Sequence, residues 1–178
     1  ATLHIHCHAD LERILTPQLE YFCKGMAYNV EFHLINPTKA EVVYEDRSVT
    51  VSSIPLRHRI PTCGFLFAEK PTPNHIIRDM IDFYKVPVFE LNRIKNGEDY
   101  VLPDGTVIPN NRLTTPPAPP RSYAYCSDTI FHRPVIEQIK GVNLLFHEAT
   151  FAQCDAQRAK ETFHTTAMQA GEIARDAD

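Results

Sequence analysis

The chain contains no stretch near the roughly 18 consecutive apolar residues of a membrane-spanning helix, so a helical membrane protein is not expected. No charged-then-apolar leader ahead of a cleavage site is read in it either. The five cysteines, at 7, 23, 63, 126 and 154, are odd in number and form no C-x-x-C pair. That excludes a disulfide scaffold and a paired-cysteine zinc or redox motif, and reads as reduced thiols in a cytoplasmic protein. Basic charge is not in excess either: the formal net charge is −4. A global electrostatic footprint for nucleic acid is therefore absent, although a local patch remains open. No internal repeat appears. What is present is 178 residues at 43% hydrophobic composition, enough for one ordinary core and, by length, one domain.

Fourteen prolines cluster in one region, and that clustering marks the organisation. Before it, residues 2–8 read as a strand. From Asp10 to Lys24 the residues Leu11, Ile14, Leu15, Leu19 and Phe22 follow helical spacing, with Thr16-Pro17 reading as the cap and first residue of a second helix and Gly25 as its end. Strand composition follows at Asn29–Ile35, Ala40–Glu45, Ser48–Ile54 and Cys63–Ala68, so 29 to 70 reads as a sheet. Between Glu69 and Arg121 the texture changes. One helical piece, Asn74–Tyr84, precedes a hairpin at 99–108 turned at Pro103-Asp104-Gly105 and a stiff Pro-Pro-Ala-Pro-Pro connector. About 70–120 therefore reads as an inserted arm with few large apolar residues, little core of its own, and mobility to match. Strand and helix then alternate: strands at Ser122–Cys126 and Val142–Phe146, helices at Pro134–Lys140, Ala156–Phe163 and Ala167–Ala177. That is α/β layering, with helices packed on a sheet.

The first candidate for chemistry is "HIHCHAD" at 4–10. In a strand His4, His6 and His8 share one face. Same-face neighbours on one strand lie roughly 6.6 Å apart, and three in line rarely converge on one tetrahedral ion. The segment reads instead as a half-exposed strand feeding a helix that begins around Asp10. Four other stretches place polar residues at strand ends, where sites are built. His58 follows the strand ending near Ile54. Asp128 follows an apolar strand, where it either bridges two cations or caps a helix. "LLFHEAT" carries a strand into His147 and Glu148, and "FHTTAMQA" sets His164 ahead of a helix capped by Thr165 or Thr166. A histidine held by a carboxylate gains a raised pKa and a fixed orientation, so Glu148 beside His164 would make a general acid.

Taken together and in order, "PLRHRIPTCGFLFAEK", the arm "VPVFELNRIKNGEDYVLPDGTVIPNNRLTTPP", "RSYAYCSDT", "HEATF" and "FHTTAMQA" resemble the ribonuclease Z family of the metallo-β-lactamase superfamily. The likeness runs from about Leu3 to the last residue. It implies part of an αβ/βα sandwich with an inserted, protruding, flexible arm. The implied activity is zinc-dependent endonucleolytic removal of the 3′ trailer of precursor tRNA, leaving 5′-phosphomonoesters, by a cytoplasmic homodimer that carries two zincs per full-length protomer. His58 is then a zinc ligand, Asp128 bridges both zincs, and His164, oriented by Glu148, protonates the departing 3′ oxygen. The arm grips the tRNA through Lys85, Pro87, Arg93 and Lys95.

The departures are as informative. The superfamily loop His-x-His-x-Asp-His belongs before "LHIHCH", and a terminal ligand histidine belongs after the last helix; neither lies within the chain. The expectation is thus a fragment, inactive alone and weak in zinc, with residues 4–10 outside the metal site. The family's usual serine is Thr165, which keeps the hydroxyl, and its Gly-Pro is Val86-Pro87. Acidic neighbours of Arg93 and Lys95 make the RNA grip modest. The competing readings are a non-catalytic RNA-binding module of the same fold and a sister metallohydrolase acting on small phosphodiesters.

Overall fold

The computed structural model describes residues 1–178. In chain order the elements are β1 (Thr2–Cys7), α1 (Ala9–Phe22), β2 (Asn29–Leu34), β3 (Val42–Glu45), β4 (Val49–Pro55), β5 (Cys63–Glu69), β6 (His75–Ile76), α2 (Arg78–Phe83), α3 (Leu91–Lys95), β7 (Tyr100–Val101), β8 (Val107–Ile108), α4 (Asn110–Leu113), β9 (Thr114–Thr115), β10 (Ser122–Cys126), α5 (Val135–Ile139), β11 (Leu144–His147), α6 (Ala156–Thr162) and α7 (Ala167–Ala177). They form two compact units: Ala1–Glu69 with Arg121–Asp178, and Lys70–Pro120.

The larger unit is built on a five-stranded sheet of order β11-β10-β5-β4-β3. Side chains alternate faces along each strand. One face carries Ile54, Leu66, Ala124, Cys126 and Leu145, and these pack with Val135, Ile136 and Ile139 of α5 and Ile173 and Ala177 of α7 into the main core. The opposite face is aromatic and partly open, with Tyr125 stacked on Phe146 at 4.8 Å and Phe67 on Tyr123 at 6.0 Å. β5 runs unusually close to β10 at Gly64, where an added Cβ would lie 2.3 Å from the Tyr125 carbonyl oxygen. All five cysteines are unpaired. Burial pushes the Cys126 thiol up to about 12 and the Cys63 thiol to about 11, so neither is a ready nucleophile.

Two readings of the first half change. β2 does not join the strands that follow it but pairs in parallel with β1, making a separate two-stranded sheet. Composition identifies a strand but not its partner, and here a helix lies between the two partners as in any parallel crossover. Likewise Thr16-Pro17 does not begin a second helix. α1 is continuous, with Pro17 inside it, and the Thr16 hydroxyl bonds back to the Glu12 carbonyl at 2.8 Å rather than capping forward.

The Lys70–Pro120 unit has more core than its composition suggested: Ile81, Val86, Ile94, Tyr100, Ile108 and Leu113 are all buried against one another. They come from short elements separated by turns, so no periodicity announces them. The hairpin is present as β7 and β8, whereas the expected helix from Asn74 shrinks to α2 behind the β6 strand. Asn110 is the polar hub of this unit. Its side chain donates to the carbonyls of Ile94 (2.6 Å) and Glu98 (2.8 Å) and accepts from Asn74 (3.0 Å) and the Thr114 hydroxyl (2.7 Å).

Two expectations follow from these contacts. Asn110→Ala strands two donors' worth of carbonyls and should cost the 70–120 unit about 1–3 kcal/mol, read as lost amide-exchange protection at Ile94 and Tyr100; parent-like protection would refute the hub. The turn between β3 and β4 is held by Asp46, whose carboxylate accepts from the Ser48 and Val49 amides at 2.7 and 2.8 Å and is thereby lowered to about 2. A depressed carboxyl contributes stability above its unfolded pKa of about 3.9 that is lost as pH falls through the folded value. Acid unfolding should therefore lose part of its steepness between about pH 4 and 2 in Asp46→Ala, and an unchanged acid profile would count against the turn.

Candidate active site

β4 and β10 are each antiparallel to β5, and β11 is parallel to β10, so the C-terminal ends of β4, β10 and β11 all point the same way. His58, Asp128 and Glu148 each follow one of those ends. His164 reaches the same place from the turn between α6 and α7. The four residues singled out in the sequence, from positions far apart in the chain, are thus delivered to one edge of the sheet by its topology.

Local backbone makes the delivery possible. Asp128 sits at φ 55° and Phe163 at φ 62°, a left-handed conformation that few non-glycine residues adopt and that recurs where structure serves function. Phe163 ends α6 there, and α7 starts three residues after His164 behind a capping box: the Thr166 hydroxyl accepts from the Gln169 amide while the Gln169 side chain accepts from the Thr166 amide. His164 is therefore clamped between the end of one helix and the cap of the next.

Glu148 is buried, and both its oxygens are saturated. Oε1 accepts from His164 Nδ1 and from the Thr129 amide, each at 2.8 Å. Oε2 accepts from the Thr150 hydroxyl at 2.7 Å and the Thr165 amide at 3.2 Å. Burial by itself would raise this carboxyl, but the bonds from Thr150, Thr129, His164 and Thr165 outweigh it and hold the group below the ordinary carboxylate range. An ionised Glu148 accepts a hydrogen bond from His164 Nδ1–H, which fixes the ring and leaves Nε2 outside that bond.

The residue sequence reasoning missed is Thr129, and Thr165 figures there only as a cap candidate and for its hydroxyl. Thr165 and Thr129 are fully buried, and the Thr165 hydroxyl donates to the Thr129 carbonyl at 2.6 Å, pinning the loop that carries Asp128. Nothing in composition flags a buried threonine; only the position of Thr165 beside His164 hinted at it.

Metal ligation separates these side chains. Both ring nitrogens of His58 are buried without a hydrogen-bond partner, a condition native interiors rarely leave uncompensated, and this fits a residue waiting to ligate. Its ring lies 5.4 Å from that of His164. Ligand atoms of Asp128, Glu148 and His164 fall within 4.8 Å of one another, but Glu148 has no lone pair to spare and does not fit. His58 and Asp128 remain as the metal-compatible pair, short of the three or four protein ligands of a stable zinc site.

In the Lys70–Pro120 unit, Lys85 and Lys95 are exposed and Pro87 half-buried. Arg93 is already engaged: its guanidinium donates to Glu98 at 2.6 and 2.9 Å and to Glu90 at 3.1 Å. Phe83, Val88 and Phe89 are more than 70% exposed, an apolar surface that the sequence reading did not single out.

The sheet and helices that present these residues have the metallo-β-lactamase fold. Human tRNase Z, short form, superposes with a TM-score of 0.63 at 18% identity, covering 99% of this chain and 57% of that one. The metallo-β-lactamase fold protein YhfI from Bacillus subtilis gives 0.53 at 15% identity, covering 99% and 48%. Within that class the sequence is similar to ribonuclease Z along its whole length. Ribonuclease Z of Phocaeicola vulgatus is 71% identical over 177 residues, and that of Porphyromonas gingivalis 53% over 176. Each match covers 99% of this chain but only 57% and 58% of the relative, so the chain spans a little over half the length of the curated relatives it matches. No protein-family model matches it.

The threonine lock has a direct test. Thr165→Val removes the hydroxyl and orphans the Thr129 carbonyl, and should cost about 1–3 kcal/mol in thermal or urea unfolding. Thr165→Ser should recover most of the loss. Equal stability of the Val and Ser variants would mean the hydroxyl holds nothing.

Proposed function

We propose that the protein to which this chain belongs is a ribonuclease Z: a metal-dependent endoribonuclease that cuts precursor tRNA and releases the 3′ trailer with a 5′-phosphate. The observation that carries this reading is the His164–Glu148 pair, a general acid already oriented at the sheet edge that also presents His58 and Asp128. Similarity to ribonuclease Z at up to 71% identity supports the same reaction.

The chemistry assigned to this chain's own residues is proton delivery. Glu148 holds His164 by Nδ1, so a proton on Nε2 can pass to the 3′ oxygen as its bond to phosphorus breaks. The locked carboxylate keeps that histidine from swinging away between turnovers. The metal is proposed to be zinc, with His58 and Asp128 supplying part of its coordination; when bound it would polarise the phosphate and acidify a water.

Recognition of the tRNA is assigned to the 70–120 unit. Of the four residues read as its contacts, Lys85, Pro87 and Lys95 are the stronger candidates, because Arg93 would have to leave two carboxylates to reach a phosphate. Exposed Phe83 and Phe89 add aromatic faces on which a base can stack. A substrate large enough to need such a remote grip favours tRNA over small phosphodiesters, and the intact acid pair favours an enzyme over a binding module. No helix is long and apolar enough to cross a membrane. From the proposed tRNA substrate we infer a cytoplasmic protein, and the family resemblance supports a homodimer.

In the full-length enzyme, His164→Ala should lower kcat on precursor tRNA by about 10²–10⁴ with tRNA affinity and zinc content near the parent's. Glu148→Gln should fall less far, and the double variant should not multiply the two losses, since both act through one proton transfer. A His164→Ala enzyme that melts earlier yet cleaves at the parent rate would make the residue structural only.

A further inference from the structure

His4, His6 and His8 cannot converge along β1, but the neighbouring strand supplies what β1 lacks. In the parallel ladder His4 lies opposite Glu31 and His6 opposite His33. With a period of two, all four side chains share one face of the β1–β2 ribbon. Adjacent strands are about 4.8 Å apart, against roughly 6.6 Å between same-face neighbours on one strand, so donors meet across the ladder rather than along it.

They do meet. His4 Nδ1 lies 2.9 Å from His33 Nε2 and 3.4 Å from Glu31 Oε2. One donor atom from each of the three residues falls within 4.8 Å of the others. Donors bound at about 2.0–2.1 Å to a tetrahedral zinc ion sit about 3.3 Å apart, a spacing that the two shorter separations bracket. His6 stacks on His33 at 4.8 Å between ring centres and braces that imidazole without competing for the same point. All three donor residues are exposed, so an ion can enter without opening the fold.

We propose that His4, Glu31 and His33 form a surface site for one divalent transition-metal ion, with water completing its shell. Two imidazoles and a carboxylate suit zinc, nickel or copper, whereas calcium and magnesium prefer all-oxygen shells. The site is separate from the His58–Asp128 edge and independent of the proposed ribonuclease reading. Its structural effect is to tie β1 to β2. Both strands form a sheet of only two members, and an ion that binds the folded pairing alone stabilises it by mass action.

The test is calorimetric titration of the untagged chain with zinc chloride and, separately, nickel chloride at neutral pH. One equivalent of each should bind and raise the melting temperature. The isotherm should persist in a His58→Ala/Asp128→Asn variant, weaken in Glu31→Gln and vanish in His33→Ala. Because a variant can lose structure, nickel broadening of histidine side-chain resonances in the parent gives a second readout, expected at His4 and His33 first. Absence of binding, binding that survives His33→Ala, or binding abolished by the His58/Asp128 changes would overturn the proposal.

Discussion

Everything at the sheet edge depends on one buried carboxylate. Glu148 accepts from the Asp128 loop through the Thr129 amide, from its own loop through Thr150, and from the turn before α7 through Thr165 and His164. A buried charge without such partners would be unstable by several kcal/mol, so its ionisation and the convergence of the three loops are the same event. Neutralising that oxygen pair would weaken its hold on the histidine and the aspartate loop together, leaving the Thr165–Thr129 bond as the remaining tie between them.

The sequence made the strand ends legible because apolar runs stop where polar residues begin, at Ile54, Cys126 and Phe146. His58, Asp128 and Glu148 stood out for that reason and His164 by its place ahead of a helix, and their order completed the resemblance. Pairing was not visible. β2 has the composition of any half-exposed strand, and nothing in it says that its partner lies before α1 rather than after Pro37. The same blindness hid the His4–Glu31–His33 grouping, since a search along the chain for ligand spacing cannot find donors brought together by a parallel ladder. Pro17 misled in a different way. A proline one residue after a threonine is a strong start signal, yet the helix runs through it, with the Thr16 hydroxyl bonded back to the Glu12 carbonyl instead of capping forward.

The 70–120 unit was legible as a change of texture but not as a packed body. Its core residues arrive singly, from elements of two to six residues, and Asn110 satisfies backbone groups that longer elements would have satisfied themselves. Side-chain amides take over where secondary structure is too short to close its own hydrogen bonds. The engaged Arg93 belongs to the same economy: charge that composition would count as available to a polyanion is already used within the unit.

The two ends of that unit leave the body side by side. The Glu69 amide donates to the Arg121 carbonyl at 2.9 Å, the Arg121 amide and guanidinium return to the Glu69 carboxylate, and Ala68 pairs with Ser122 in the next rung. To the sheet, β5 and β10 are simply a hairpin, and everything from Lys70 to Pro120 is its loop. Loop length enters stability only logarithmically, at about 0.6 kcal/mol for each doubling. Natural variation is therefore free to lengthen, trim or exchange the insertion wholesale at little cost to the sheet, whose opposite end carries His58, Asp128 and Glu148.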